Sequence, residues 1–442
     1  MSGSAALRGL RGVLGSLVRG SVATSEPARK AVRLVNFSWL TVLASLALSV
    51  LGVYAIDVGQ NVSGGAAAGW APSAEAAKQC VFLVVGMLAC VMVALPHYRF
   101  LGLVSWPLYA VCVCLLVLLL VPGVPTWLVR PRNGARAWID LGPVDFQPGE
   151  LAKIAFVLAV ARYLRFRSHH RRLRGLVVPG VIAAIPVGLI TLQPDLGTAM
   201  LFVPALFAVL IAAGARLRHL TLIVVCAALA APAAWPFLMP HQRTRIVALY
   251  HQFQGDTTTE QGINYQSVTA QRLIGAGEIT GTSDGAARAL VHYNRLPERH
   301  NDMILAVVVN RFGFWGGLAT MGLYLAWVLG AWMVAATCRD PLGRLIAAGI
   351  PAFVGVQAVI NIGMNLGVLP IIGVTLPFVS YGGSSLLASW IMTGLVVNVA
   401  LHKPRPPFRA SFEYADDDGP DPLQSVRPYG RSVGFSGRAL TR

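Results

Sequence analysis

The sequence predicts an all-α polytopic membrane protein with about ten transmembrane helices and one large loop before the eighth helix. Of its 442 residues, 55% are hydrophobic and 12% are charged, whereas about 25% of the residues in soluble domains are charged. The hydrophobic residues also form long continuous blocks, which is the pattern of membrane-spanning helices. This composition excludes a soluble globular protein.

Ten predicted spans follow one another along the chain, each near the ~20 residues that a bilayer requires. The fourth span is short and partly polar. The eighth and ninth spans are longer than required, which predicts tilt, a kink at glycine or an extension beyond the lipid. The predicted spans cover residues 37–55, 78–95, 101–121, 150–163, 175–192, 197–214, 219–239, 303–336, 342–370 and 383–401.

The spans form one predicted transmembrane domain, residues 37–402, between two terminal segments. Residues 1–36 are rich in Ala, Gly, Ser and Arg, and residues 403–442 are rich in Pro, Gly, Arg and Asp, so we expect a flexible and a disordered tail. The longest polar segment inside the domain is the loop 240–302. A loop of this length in a compact protein is usually functional or disordered, and its tyrosines favour partial order.

Basic residues set the predicted orientation. The net charge of +17 is distributed over the tails and alternate short loops, which argues against a nucleic-acid-binding surface. Residues 164–174 contain five arginines, whereas residues 193–196 and 370–382 contain no Lys or Arg. The positive-inside rule therefore predicts that both termini are cytoplasmic and that the loop 240–302 is extracytoplasmic.

A charged motif precedes the fourth span. Glu150 and Lys153 are three residues apart at the start of that span, so they share one face of a helix. Such a pair either anchors the membrane interface or belongs to a functional site, and the spacing leaves both roles open. Arg136, earlier in the same motif, is a fixed cation suited to bidentate contact with phosphate.

Two further motifs place aspartates at predicted helix starts. Asp195 lies in a tight turn between the fifth and sixth spans, and Asp302 follows His300 at the end of the large loop. Both aspartates are candidate site residues, and capping of the helix N-terminus is the alternative role for each.

Three amides, Gln357, Asn361 and Asn365, recur about once per turn along the ninth span. Amides at this spacing commonly hold membrane helices together. An uncharged segment rich in Pro and Gly follows and contains Ser380 and Ser384. Irregular backbone at that depth must line a cavity or pack on protein.

These motifs resemble those of the SEDS family (shape, elongation, division and sporulation), which includes FtsW, RodA and SpoVE. The resemblance covers roughly residues 35–402 and is most specific in NIGMNLGVLP at 361–370 and LPFVSYGGSS at 376–385. The motifs at residues 147–153, 193–198 and 300–302 follow in the order typical of the family.

The resemblance implies a peptidoglycan glycosyltransferase in the bacterial cytoplasmic membrane, which polymerises lipid II at the outer face during cell division or elongation. Members of the family work with a class B penicillin-binding protein within the division or elongation machinery, and a lipid II flippase activity has also been proposed for them. By resemblance, Asp302 is the catalytic residue. The implied substrate-binding residues are Arg136, Glu150, Lys153, Asp195, Arg245, His300, Asn361, Ser380 and Ser384.

The implied reaction joins a sugar hydroxyl to an anomeric carbon that bears undecaprenyl pyrophosphate. A carboxylate accepts the hydroxyl proton, and Arg, Lys or a divalent cation such as Mg²⁺ or Mn²⁺ holds the pyrophosphate. We predict Asp302 as the general base, and the sequence leaves open whether a divalent cation takes part. The other predicted roles are phosphate contact for Arg136, Lys153 and Arg245, orientation of Lys153 for Glu150, and a structural or metal contact for Asp195.

Two adjacent residues depart from the family pattern. Asn310 and Arg311 stand where the family usually has an acidic pair, and an arginine in a span is costly unless it faces protein, water or a carboxylate. Three functions therefore remain open: a glycosyltransferase, a lipid II transporter and a catalytically impaired scaffold for a transpeptidase. The acids and bases cluster near predicted outer loops, which favours the enzyme.

Overall fold

The computed structural model describes the transmembrane region and most of its loops. Both predicted tails lie outside the described residues, apart from Lys403, as do Phe37 at the start of the first predicted span and residues 255–263 of the large loop. The described residues are 38–61, 72–125, 127–129, 131, 135–142, 144–167, 169–237, 240–254 and 264–403.

Helices make up almost all of the regular structure in the described residues, and two short strands, β1 (Ile139–Asp140) and β2 (Asp145–Phe146), pair antiparallel before the fourth helix. The α-helices are α1 Ser38–Gln60, α2 Ala74–Ala94, α3 Tyr98–Leu120, α4 Pro148–Leu164, α5 Val177–Leu192, α6 Leu196–Met200, α7 Phe202–Ala213, α8 Leu217–Ala230, α9 Pro240–Phe253, α10 Tyr265–Ala276, α11 Asp284–Tyr293, α12 Ile304–Thr337, α13 Pro341–Asn365 and α14 Gly383–His402.

The prediction of an all-α polytopic membrane protein is confirmed. Eight helical segments in the described residues are long and apolar enough to cross a membrane. Two predicted spans fall short of that length, because α4 has 17 residues and α8 has 14. The count of ten spans therefore stays a prediction. The large loop contains α9, α10 and α11, in agreement with its expected partial order.

The interior of the bundle is formed by α4, α7 and α13. Phe156, Phe202 and Phe353 come from these three helices and pack edge to face, with ring centroids 5.2–6.1 Å apart. Gly349 allows a close approach, because a Cβ atom there would lie 2.5 Å from the Val209 side chain. Lipid tails are as apolar as the helix surfaces, so the hydrophobic effect does not bring helices together within a membrane. Close packing of this kind drives their association instead. It also fixes α4 and α13, which carry site residues.

The eighth predicted span is kinked at a glycine, as expected. Gly313 has φ 67° and ψ −164° within α12, and the turn after α10 packs into this break. The Glu278 carbonyl accepts a hydrogen bond from Phe314 N at 2.9 Å. A Cβ atom on Gly313 would lie 2.4 Å from Gly281 N, so both positions require glycine for close backbone approach. The large loop is thereby joined to α12.

Arg311 faces a carboxylate, which is one of the three surroundings expected for an arginine in a span. Its guanidinium lies 3.7 Å from Asp284 and donates to the Tyr54 hydroxyl and the Thr282 carbonyl, each at 2.9 Å. Arg288 joins the same network, since it lies 2.8 Å from Asp284 and 2.8 Å from Asp57. These charges connect α1, α11 and α12, so the departure at Arg311 is accommodated by paired charges.

Candidate active site

A cavity of about 670 Å³ lies at one end of the bundle. It is enclosed by the loop before α12, the segment 371–385, the starts of α4 and α6, and α9. Six of the ten predicted site residues line it: Glu150, Asp195, Arg245, His300, Asp302 and Ser384. The fold thus brings residues from distant parts of the chain to one cavity.

Asp302 lies two residues before α12 and lines the cavity. Burial raises the pKa of its carboxyl to about 7, the negative charge of Glu298 adds to the rise, and Arg245 opposes it. Its backbone carbonyl accepts hydrogen bonds from Asn361 and Asn365 at 2.8 and 2.9 Å. The loop therefore holds in place a carboxyl group that exchanges a proton near neutral pH.

Hydrogen bonds join the loop before α12 to the segment before α14. Tyr381 N donates to the His300 carbonyl at 2.8 Å, and Ser380 Oγ donates to the Asn301 carbonyl at 2.7 Å. The His300 ring lies 2.9 Å from the Gln60 amide, and burial lowers the His300 pKa. His300 lies two residues before Asp302 in sequence and lines the same cavity.

A second wall forms where α4 and α6 begin. Asp195 caps α6 by accepting a hydrogen bond from Thr198 N at 3.0 Å, and its other oxygen accepts one from Gln147 Nε2 at 3.3 Å. Ser384 Oγ donates to the Asp145 carbonyl at 2.6 Å and accepts from Gln147 N at 3.2 Å. Burial raises the pKa of Asp195. Asp195 therefore both caps a helix and lines the cavity.

Glu150 and Lys153 form the pair that their spacing predicts. Lys153 Nζ donates to Glu150 Oε1 at 2.8 Å and to Gln357 Oε1 at 2.9 Å. Glu150 lines the cavity, whereas the Lys153 side chain is 1% exposed and lies behind it. A buried ammonium requires such partners. In this structure Lys153 orients Glu150, and its contact with phosphate stays a prediction.

These residues occupy segments with a recognisable family pattern, and the chain matches the family of cell cycle proteins FtsW, RodA and SpoVE over residues 36–405. The chain belongs to this family.

Relatives in this family include enzymes of cell wall synthesis. The chain is 33% identical over 302 residues to the peptidoglycan glycosyltransferase MrdB of Escherichia coli K12, which covers 68% of this chain and 79% of the relative. It is 30% identical over 378 residues to the probable peptidoglycan glycosyltransferase FtsW of Trichlorobacter lovleyi, over 85% of this chain and 96% of the relative.

Solved structures of the family share the fold. A chain from a study of the structural coordination of polymerization and crosslinking by a peptidoglycan synthase complex matches with a TM-score of 0.68 and 31% identity, over 82% of this chain and 97% of that chain. The crystal structure of the Thermus thermophilus rod shape determining protein RodA matches with a TM-score of 0.60 and 28% identity, over 83% of this chain and 98% of that chain.

Three other predicted substrate contacts do not line the cavity, and their contact with substrate stays a prediction. Asn361 is fully buried and donates to the carbonyls of Asp302 and Val374. Ser380 is also buried, because its hydroxyl connects the Leu376 amide to the Asn301 carbonyl. Arg136 does not line the cavity, although its neighbours Ala135 and Trp138 do. Asn361 and Ser380 hold the cavity loops in place.

Sequence reasoning assigned no role to several cavity residues. Gln147 stood in the motif 147–153 and Glu298 lies two residues before the motif 300–302, yet only the structure shows that both line the cavity. Glu298 has φ 50°, a left-handed conformation that is unusual for glutamate and marks a constrained loop. Tyr381 stood in the motif at 376–385 without an assigned role, and it also lines the cavity. The sequence carried no signal for Gln266, a further lining residue, because contact across the bundle leaves no local pattern.

Proposed function

We propose that this protein is a peptidoglycan glycosyltransferase that polymerises lipid II into glycan strands. The observation that carries the proposal is Asp302, a carboxyl group with a pKa of about 7 at the wall of a polar cavity of about 670 Å³. Relatives at 30–33% identity are named as enzymes of this activity. A general base works best when its pKa lies near the operating pH.

In the proposed reaction, the ionised Asp302 carboxylate accepts the proton of the acceptor sugar hydroxyl. The hydroxyl oxygen then forms a bond to the anomeric carbon of the donor, and the bond from that carbon to the pyrophosphate oxygen breaks. The undecaprenyl pyrophosphate leaves with the bonding electrons, and Arg245 stabilises its developing charge. Asp302 later releases its proton to water, so the protein returns to its initial state.

A divalent cation is proposed as an aid to pyrophosphate binding. Among the lining residues that the structure describes, five carboxylates accompany Arg245. The described part of the chain has no group of three or more His, Cys, Asp or Glu residues that could hold a metal ion by itself. Oxygen donors suit Mg²⁺ and Mn²⁺, which commonly combine one or two carboxylates with substrate phosphates. Glu150 and Glu298 are the carboxylates proposed to complete such a site.

We propose that the protein resides in the bacterial cytoplasmic membrane with cytoplasmic termini and an extracytoplasmic cavity. The loop 164–174 with its five arginines supports this orientation. We propose a class B penicillin-binding protein as partner, within the division or elongation machinery, because a matching structure belongs to a peptidoglycan synthase complex.

The proposal is tested with purified protein and labelled lipid II, with and without the transpeptidase partner. We expect glycan strands from the wild-type protein, a reduced yield with a chelator, and none from a folded Asp302→Ala variant. The variant shows that the polymer does not come from a contaminating enzyme. Movement of lipid II across vesicles without polymer would favour the transporter, and neither activity would favour the scaffold.

A further inference from the structure

The junction between Asp302 and α12 contains an unusual hydrogen-bond arrangement. Asn365 Nδ2 donates to the Asp302 carbonyl at 2.9 Å, while Asn365 Oδ1 accepts from Ala306 N at 3.2 Å. Asp302 and Ala306 are four residues apart, and their carbonyl and N–H are the two groups that bond directly in a regular α-helix. One carboxamide thus satisfies both groups of a missing helical hydrogen bond.

This insertion keeps Asp302 outside the helix. Ala306 N also donates a hydrogen bond to the Met303 carbonyl at 3.2 Å, and helical structure begins at Ile304. A side-chain amide has the same donor and acceptor as a peptide group, so neither backbone group is left unsatisfied on burial. The arrangement separates Asp302 from the first turn of α12 at no hydrogen-bonding cost.

Asn361 reinforces the same point. Its Nδ2 donates to the Asp302 carbonyl at 2.8 Å and to the Val374 carbonyl at 2.7 Å. Asn365 Nδ2 also lies 3.2 Å from Asn361 Oδ1, so the two amides orient each other. Both side chains are fully buried on α13. The position of the Asp302 backbone is therefore set by a rigid central helix.

We propose that Asn365, supported by Asn361, is a positioning residue that holds Asp302 at the cavity wall by bridging its carbonyl to Ala306 N, in place of the hydrogen bond that would extend α12 by one residue. The inference rests on the proposed function, because it assigns the purpose of this geometry to the placement of the general base. Neither Asn361 nor Asn365 is among the described residues that line the cavity. Their effect on catalysis is exerted through the Asp302 backbone.

Loss of a positioning residue changes the rate and the pH profile of the folded protein, whereas loss of a purely stabilising residue changes only the free energy of unfolding. If Asn365 is removed, the Asp302 backbone relaxes toward the helix and its carboxyl moves relative to the groups that face it. Those groups are Glu298 from the same loop, Arg245 from α9 and Asp195 before α6. A displacement of about 1 Å at a reacting group costs roughly 100-fold in rate. Changes in rate and in pH profile therefore report on positioning.

Asn398 provides a matched control. It is a fully buried asparagine of α14 whose Nδ2 likewise donates to two backbone carbonyls, those of Val93 and Pro96. It lies near the end of its helix, far in the fold from the loop that carries Asp302. Asn398→Ala likewise removes a buried amide that donates to two backbone carbonyls, and it is expected to cost stability without changing the base.

The experiment compares Asn365→Ala, Asn365→Asp and Asn398→Ala in the lipid II polymerisation assay, with rates expressed per folded molecule. Asn365→Asp keeps the size of the side chain but cannot donate to the Asp302 carbonyl when ionised. We expect both Asn365 variants to lose roughly 100-fold in kcat, with little change in KM. We also expect the acid limb of their pH–rate profile to shift, while Asn398→Ala keeps the wild-type kcat and profile.

Several outcomes would overturn the proposal. Folded Asn365 variants with the wild-type kcat and acid limb would contradict it. Loss of fold in both variants would assign Asn365 to stability alone. A loss in Asn398→Ala equal to that in the Asn365 variants would show a general effect of buried amides. A wild-type protein that makes no polymer would instead refute the proposed function itself, so the two failures are distinguishable.

Discussion

Asp302 and Asp340 lie at opposite ends of α12, each just before a long helix, and their surroundings differ. Asp340 caps α13, and its carboxylate accepts hydrogen bonds from the Tyr98 hydroxyl at 2.7 Å and from Arg99 Nε at 3.2 Å. No described residue donates to the Asp302 carboxylate, which faces the cavity. Although burial raises the pKa of both, hydrogen bonds lower the Asp340 pKa below its ordinary value, whereas the Asp302 pKa rises to about 7.

A position at a helix start does not by itself determine the role of an aspartate. The carboxylate with several donors is fixed as an anion and stabilises the fold. The carboxylate without donors exchanges protons near neutral pH and is available to a substrate. Substitutions at the two positions should therefore have opposite consequences for activity and stability.

The largest expected effect is on activity. Asp302→Asn removes the general base while preserving the size of the side chain, so polymerisation of lipid II should fall by roughly 10²- to 10⁴-fold. Asp340→Asn should retain the wild-type rate per folded molecule. The rates are measured in detergent with protein of verified fold. Equal rate losses in the two variants would contradict the distinction between them.

The next effect concerns the dependence of stability on pH. The folded-state pKa of Asp302 is raised above the ordinary 3.8 to about 7, so its contribution to stability is present at low pH and is lost as the pH rises through about 7. The folded-state pKa of Asp340 is lowered, so its contribution is present above about 3.8 and is lost as the pH falls through the folded-state value.

Thermal unfolding of the two Asn variants across this pH range checks both signs. Relative to wild type, Asp302→Asn should gain stability as the pH rises from about 3.8 to about 7 and should show no further gain above 7. Asp340→Asn should lose about 1–3 kcal/mol at neutral pH, as expected for a hydrogen bond to a charged group, and the loss should shrink in acid. Parallel curves for the two variants would be inconsistent with the opposite pKa shifts.

The smallest effect is expected from Glu298→Gln. The negative charge of Glu298 contributes to the raised pKa of Asp302, so its removal should move the acid limb of kcat/KM toward lower pH. Glu278→Gln, a change in the same large loop but outside the cavity lining, serves as the control. An unchanged acid limb in Glu298→Gln would remove Glu298 from the electrostatics of the base.

Much of the architecture could be predicted because each signal is local. Long apolar blocks predict spans wherever they occur, and the i,i+3 spacing of Glu150 and Lys153 predicts their contact on one helix face. The length of α12 predicted tilt, a kink or an extension, and the structure shows a kink at Gly313, where the turn after α10 packs. The site residues were harder to assign, since Lys153 and Asn361 proved to be buried supports and Arg136 does not line the cavity.

The membrane class, the family motifs and the set of polar residues available for a site follow from composition and spacing, which are properties of the chain alone. The tertiary structure decided which of those residues face the cavity and which lie behind it, since exposure depends on segments distant in sequence. It alone showed Asn365 occupying the missing hydrogen bond between Asp302 and Ala306, because a contact across some sixty positions leaves no mark on local pattern. The proton affinity of Asp302 was likewise set by its three-dimensional surroundings, which bury the carboxyl and place Glu298 and Arg245 near it.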